Sequence, residues 1–171
     1  MKKLELKSNT RKEVFAEVET YLTELNLTII SRDVQRPWGG FFVIDETQAK
    51  QFADLFFPGV AVSTLRISGK LSPKILIVEP GKRLSWQYHH RRAEIWRSLS
   101  GKVGVVTSLT DTENETVTLS VGDEIRLPQG QRHRLKGLTE WGVLAEIWQH
   151  TDAQHPSDEN DIVRVQDDFG R

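Results

Sequence analysis

The chain has 171 residues, 37% of them hydrophobic and 27% charged, with 23 Lys and Arg set against 24 Asp and Glu. A chain of this kind can bury one proper core, and it carries no net field to draw in nucleic acid or an anionic membrane. It has no cysteine, which excludes disulfide frameworks, thiolate zinc sites and cysteine nucleophiles and leaves only His, carboxylate or amide groups to hold a metal. The start, Met1-Lys2-Lys3, leads into no apolar stretch of signal-peptide length, and no run approaches the ~18 apolar residues of a membrane span. The expectation is a cytoplasmic protein whose partners are neither nucleic acid nor membrane.

Residues 8–26 predict a helix. Thr10 followed by Glu13 has capping-box spacing, and Val14, Phe15, Val18, Tyr21, Leu22 and Leu25 recur on one face. That face has to be covered, by the rest of the chain or by a second copy in a homodimer. A second helix is predicted over 47–57, with Ala49, Phe52, Ala53 and Phe56 on one side and Pro58-Gly59 as its stop. From Val60 onward the texture changes to short β-rich runs. They cover 75–78, 84–88, 94–99, 102–109, 116–119, 124–127 and 143–148, with turn signals at Pro80-Gly81, Ser100-Gly101, Gly122-Asp123 and Pro128-Gln129-Gly130. Short strands at this density predict a mainly β sandwich or small barrel. The polar, acidic tail 151–171 reads by composition as a flexible end.

The chemistry is concentrated in Gly81–Gly101 and Gly122–His133. Gln87 and His89 are two apart on a strand and so share a face. Glu94 needs a turn or bulge across 90–93 to rejoin them, and His133 opens a later strand with another imidazole. An amide oxygen, two imidazoles and a carboxylate suit one divalent ion, Zn²⁺ first and Mn²⁺, Fe²⁺ or Ni²⁺ as alternatives. With a single anionic ligand such an ion keeps positive charge and can act as a Lewis acid. Ser85, two before Gln87, shares its face and can donate to a phosphate. Trp38, Trp86 and Trp96 read as core aromatics, Trp96 sharing the parity of Glu94; His90 alternates outward, and His150 and His155 read as surface residues.

These two segments resemble the paired cupin motifs, G-x5-H-x-H-x3,4-E-x6-G and G-x5-P-x-G-x2-H-x3-N, with Gln87 in place of the first His and Gly137 in place of the final Asn. The chain more specifically resembles the cupin domain of type II phosphomannose isomerases. Arg36-Pro37-Trp38-Gly39 matches the opening R-P-W-G of that domain, and Pro80-Gly81 with Leu84-Ser85-Trp86-Gln87 is similar to its P-G-x-x-L-S-L-Q. His89, His90, Arg92, Ala93 and Glu94 fit H-H-H-R-A-E with Arg91 for the third His; Asp161–Arg164 and Asp167–Arg171 resemble D-D-I-V-R and D-x-Y-G-R. The resemblance spans 36–171 and leaves out the first thirty-odd residues and the stretch 45–70.

The resemblance implies a jelly-roll barrel over 36–171 with its tail packed on it, behind a helical extension at 1–35. It implies an isomerase that moves a proton between C1 and C2 of a sugar phosphate, with mannose 6-phosphate the expected substrate. Arg92, beside Glu94, becomes the expected catalytic cation, with a structural ion pair as its alternative. Lys74 matches a lysine on the strand before the metal motif, and with Ser85, Arg36 and Arg171 it is a candidate for binding substrate. No residue stands out as the general base. These 171 residues contain no nucleotidyltransferase segment, so no guanylyltransferase activity is implied. An isomerase of a free sugar such as lyxose or mannose, and a sugar-binding cupin without turnover, are the competing readings.

Overall fold

The computed structural model describes residues 3–65 and 69–171; residues 66–68 of the 45–70 stretch, like Met1-Lys2, lie outside the described residues. The first helix, α1 (Arg11–Glu24), starts after Thr10, whose extended backbone lets its carbonyl accept from Val14 N at 2.9 Å. The Thr10 hydroxyl donates to Glu13 Oε2 at 2.6 Å instead of accepting from the helix backbone, so the capping-box pair forms only side chain to side chain. The helix ends in a Schellman turn. Asn26 takes a left-handed φ of 56°, Leu27 N donates to Leu22 O at 3.0 Å and Asn26 N to Thr23 O at 2.9 Å.

Two strands follow that periodicity did not disclose, β1 (Ile29–Arg36) and β2 (Gly39–Ile44), paired as an antiparallel hairpin. The first 35 residues therefore hold most of a strand as well as a helix. The R-P-W-G motif sits at the hairpin turn, where a Cβ on Gly39 would run into the Ile77 carbonyl. A single 3-10 turn, Glu46–Gln48, leads into α2 (Ala49–Phe56), which buries Ala49, Phe52, Ala53 and Phe56 as expected. The β texture expected from Val60 begins later, at Lys74, because Val62–Leu65 forms a short helix, α3.

The remaining strands are β3 (Lys74–Val78), β4 (Trp86–Tyr88), β5 (Arg92–Ser100), β6 (Val103–Ser108), β7 (Val117–Leu119), β8 (Glu124–Leu127), β9 (Arg132–Gly137), β10 (Gly142–His150) and β11 (Val163–Gln166). All pairings are antiparallel and form two sheets, β1-β2-β3-β10-β5-β8 and β11-β4-β9-β6-β7. Together they make a cupin barrel. Among the described residues, no helix is long and apolar enough to cross a membrane.

Residue parity on the six-stranded sheet explains why its central strands read as unbroken apolar runs. Ile75, Ile77, Ile95, Val143, Ala145 and Ile147 face outward and pack with Val14, Val18, Phe52 and Phe56 of the helices. Leu76, Val78, Trp96 and Leu144 face inward and pack with Val103, Val105 and Leu135 of the other sheet. A sheet covered on both faces has no polar alternation to show. The apolar face of α1 is thus covered within the chain. The same inward parity carries Lys74, Glu94, Glu146 and Trp148 into the barrel, where the site lies.

Gly137, which stands where the cupin motif has Asn, accommodates the turn before Gly81. The Glu79 carbonyl lies where a Cβ would be, and Gly137 N donates to Lys82 O at 2.8 Å. An Asn side chain has no room there.

Candidate metal centre and substrate cavity

Both sheets contribute donors. Gln87 on β4 is the register partner of His133 on β9. His89 follows β4, and a bend at His90-Arg91 carries the chain across to β5 in the other sheet, which returns Glu94 to the same interior. That bend is the turn the spacing required. His89, Glu94 and His133 bring one ligand atom each to within 4.8 Å of one another, and all three are buried. His90 is exposed, outside this group.

The hydrogen bonds set the tautomers. His89 Nδ1 lies 2.6 Å from the Asp161 carbonyl, and His133 Nδ1 lies 3.0 Å from the Gln131 carbonyl. A carbonyl can only accept, so each ring donates its Nδ1–H and turns an Nε2 lone pair toward Glu94. His133 Nε2 faces Glu94 Oε2 at 3.4 Å, and neither atom has a hydrogen-bond partner although both are buried. Two lone pairs held together without a proton repel unless a cation lies between them. Two ligands each about 2.1 Å from a tetrahedral ion stand roughly 3.4 Å apart, which matches this spacing and the 3.1 Å from His89 Nε2 to Glu94 Oε1. The donors fit a divalent ion. Gln87 Oε1 already accepts from Ser85 Oγ at 2.5 Å and keeps one lone pair for a metal.

Burial pushes the His89 imidazole below its ordinary range, so the ring is neutral and ready to ligate near neutral pH. Burial works against the Glu94 charge, but His89 and the Arg92 guanidinium beside it hold its carboxyl well below the usual carboxylate range.

Arg92 is the most engaged side chain of the site. Its Nε donates to Glu94 Oε1 at 2.7 Å, its Nη1 to Ser157 Oγ at 2.9 Å and to the Asp158 carbonyl at 3.0 Å, and its Nη2 lies 3.2 Å from His89 Nε2. Its guanidinium also stacks 3.7 Å from the Trp148 ring centroid. A metal at His89 would take over the lone pair that Arg92 now holds.

The tail is part of this architecture. β11 pairs with β4, and the Asp161 carboxylate accepts from the backbone N–H of His90 at 3.0 Å and of Arg91 at 2.9 Å while its carbonyl orients His89. The compositional reading of a loose end gives way to an ordered strap. Deleting 157–171 should therefore lower the melting temperature by roughly 5–10 °C, at about 2–4 °C per kcal/mol for a chain of this size. It should also abolish metal retention. An unchanged melting curve with unchanged metal content would contradict this role for the tail.

Gln87 and Glu94 line a cavity of about 420 Å³ that also presents Arg36, Lys74, Ser85, Arg92, Arg164 and Arg171. Each residue expected to bind substrate is thus on its wall, but each already has a protein partner. Ser85 donates to Gln87, so it buttresses the donor set instead of standing free for phosphate. Lys74 pairs with Glu159 of the strap and lies 4.2 Å from the Trp148 ring centroid. Arg36 lies 2.8 Å from Asp33, and Arg171 lies 2.9 Å from Asp167. His150, expected at the surface, is fully buried: its Nδ1 accepts from Ser157 N at 3.0 Å and its Nε2 lies 3.1 Å from Ser72 Oγ.

Sequence reasoning passed over two members of this wall. Arg164 forms no salt bridge among the described residues, and burial together with repulsion from Arg171 and Arg36 lowers its pKa against the pull of Asp167. Glu146 is buried and receives both indole N–H groups, from Trp96 and Trp148, at 2.8 Å each. Its signal was a lone carboxylate inside the otherwise apolar run Val143–Trp148.

Several known proteins are similar to this chain. The xanthan biosynthesis protein XanB of Xanthomonas campestris is 31% identical over 140 residues, covering 82% of this chain and 24% of that protein. The alginate biosynthesis protein AlgA of Pseudomonas aeruginosa is 28% identical over 139 residues, covering 81% and 23%. The chain thus spans about a quarter of the length of the curated relatives it matches. Among solved structures, the capsular polysaccharide assembling protein CapF of Staphylococcus aureus aligns with a TM-score of 0.52 at 16% identity, over 89% of this chain and 40% of that one, a likeness of fold alone. A family model described as mannose-6-phosphate isomerase C-terminal matches residues 45–167. Its match takes in the 45–70 stretch that the motif resemblance had left aside. With its donor set inside a cupin barrel and this match over most of its length, the chain belongs to the mannose-6-phosphate isomerase C-terminal family.

Proposed function

We propose that the protein is a metal-dependent aldose–ketose isomerase that interconverts mannose 6-phosphate and fructose 6-phosphate, with zinc as the preferred ion. The observation that carries this reading is one cavity holding both a divalent donor set and three arginines, Arg36, Arg164 and Arg171, of which Arg164 has its charge disfavoured by the other two. Repelling cations at a cavity wall are relieved by an anion, and a phosphate with its fork-matching oxygens is a suitable one. Relatives named for xanthan and alginate biosynthesis point to sugar supply for polysaccharide synthesis as the setting.

Isomerisation builds negative charge on the sugar oxygens as the C–H bond breaks. A divalent ion at Gln87, His89, Glu94 and His133 would supply Lewis-acid polarisation of those oxygens. Arg92, fixed by Ser157, Asp158 and the Trp148 ring, presents a preorganised cation to the same charge. Arg164, with Arg36 and Arg171, holds the phosphate end, and Glu159 of the strap lines the cavity and pairs with Lys74.

A sugar panel tests the choice of substrate. Mannose 6-phosphate should be turned over with a kcat/KM about 10–100-fold above that of mannose or lyxose, since a hydrogen-bonded charge contact is worth roughly 1.5–3 kcal/mol. Arg164→Ala should remove most of that preference by raising KM for the phosphorylated sugar alone. Preference for mannose or lyxose would favour a free-sugar isomerase, and tight sugar binding without turnover would favour a sensor.

A further inference from the structure

Glu146 is a buried carboxylate on the cavity wall to which the proposed reaction gives no role. It sits on β10 opposite Trp96 of β5, while Glu94 on β5 sits opposite Trp148 of β10. The two carboxylates are therefore diagonal neighbours on the inward face, with Cβ atoms about 7–8 Å apart or somewhat less. Both line the cavity. A sugar bound in the cavity can therefore meet the donor set and Glu146 together.

The surroundings hold Glu146 ready for proton transfer. It accepts hydrogen bonds from the Trp96 and Trp148 indoles and from none of the metal donor residues, so each oxygen is aimed and keeps a lone pair. Its direct register partner on β3 is Lys74, which is occupied by Glu159. Burial first, and then the charge on Glu94, push its carboxyl up to about 7, against the pull of Lys74, Arg92 and the Trp148 indole. Each indole N–H donates to a separate oxygen, a pairing that a carboxylate accepts on both sides and that an amide, with its NH2, would not.

We propose that Glu146 is the catalytic base that carries the proton between C2 and C1. The inference rests on the isomerase reading and deepens it. In the step, the C2–H bond breaks, its proton goes to a Glu146 oxygen, and its electrons form the C1–C2 double bond as the aldehyde π pair moves onto O1. A proton then passes from O2 to O1, and Glu146 returns the first proton to C1 as the C2 carbonyl forms. Nothing is oxidised or reduced overall.

The test uses the metal-loaded protein. Glu146→Gln should lower kcat for mannose 6-phosphate by about 10²–10⁴-fold with metal content and KM little changed. The exchange of solvent deuterium into the sugar at C1 and C2 should fall in parallel. Glu146→Asp keeps the charge but withdraws the oxygens by one methylene, and should lose at least about tenfold, serving if the Gln variant unfolds. A structural anchor for the indoles would instead lower the melting temperature of both variants while leaving exchange per folded molecule intact, which would overturn the proposal. Wild-type protein that forms no ketose would take down the isomerase reading and this inference with it. Wild-type turnover beside an unimpaired Glu146→Gln would take down the inference alone.

Discussion

His133→Ala should yield a folded barrel that no longer retains a metal ion and has lost at least about 10³-fold in turnover. Removing groups that only support a ligand costs roughly 10–100-fold in affinity or activity, and His133 is itself one of the donors that converge on Glu94. Its loss also removes the facing lone pair that makes Glu94 Oε2 an unpaired buried atom. His90→Ala is the internal control, because His90 is exposed and should keep both metal and activity. Acidification should mimic the His133 variant. Burial lowers the His89 pKa, so protons compete with the metal only below the ordinary imidazole range. Metal should accordingly be retained through the ordinary imidazole range and lost only on acidification below it. Elemental analysis across pH checks both statements, and full metal retention by His133→Ala would contradict the assigned donor set.

Arg92→Ala should lower kcat by roughly 10²–10³-fold, the usual loss when one preorganised donor to a developing oxyanion is removed. Substrate affinity should change little, because the charge it faces develops only in the transition state. The melting temperature should fall as well, since the guanidinium ties the strap to the barrel through Ser157 and Asp158. Arg92→Lys should recover only part of the rate, because an ammonium cannot reproduce the planar fork that reaches Glu94, Ser157 and His89 together. Turnover per folded molecule equal to wild type in both variants would leave Arg92 a purely structural ion pair.

The donor set was legible because ligand chemistry needs particular residue types at particular spacing. Gln87 and His89 share a face by alternation, and the glycines and proline that mark the intervening turns are visible as punctuation. α2 was legible for a similar reason: its buried residues recur at helical spacing between two clear boundaries. The hairpin β1–β2 was not. Ile29–Arg36 is mostly exposed or half-buried and polar at the edge of its sheet, so it carries neither an apolar run nor a clean alternation. The tail was misread by composition because it is stabilised by hydrogen bonds that Asp161 accepts from the His90 backbone and from Ser157, and by pairing with β4, none of which requires apolar residues. Glu146 escaped because its significance depends on which residues stand across from it. Trp96 lies 50 positions away in the chain, and only the β5–β10 register brings its indole to the carboxylate.

The central claim is that the metal centre and the cavity beside it isomerise a phosphorylated sugar. The most direct test follows ketose formation from mannose 6-phosphate by wild-type protein, stripped with a chelator and then reloaded with one equivalent of zinc per chain. The expected result is negligible turnover in the stripped protein and restored turnover on reloading, saturating near one ion per chain. Equal turnover with and without metal, or none in a folded protein that has taken up its zinc, would contradict it.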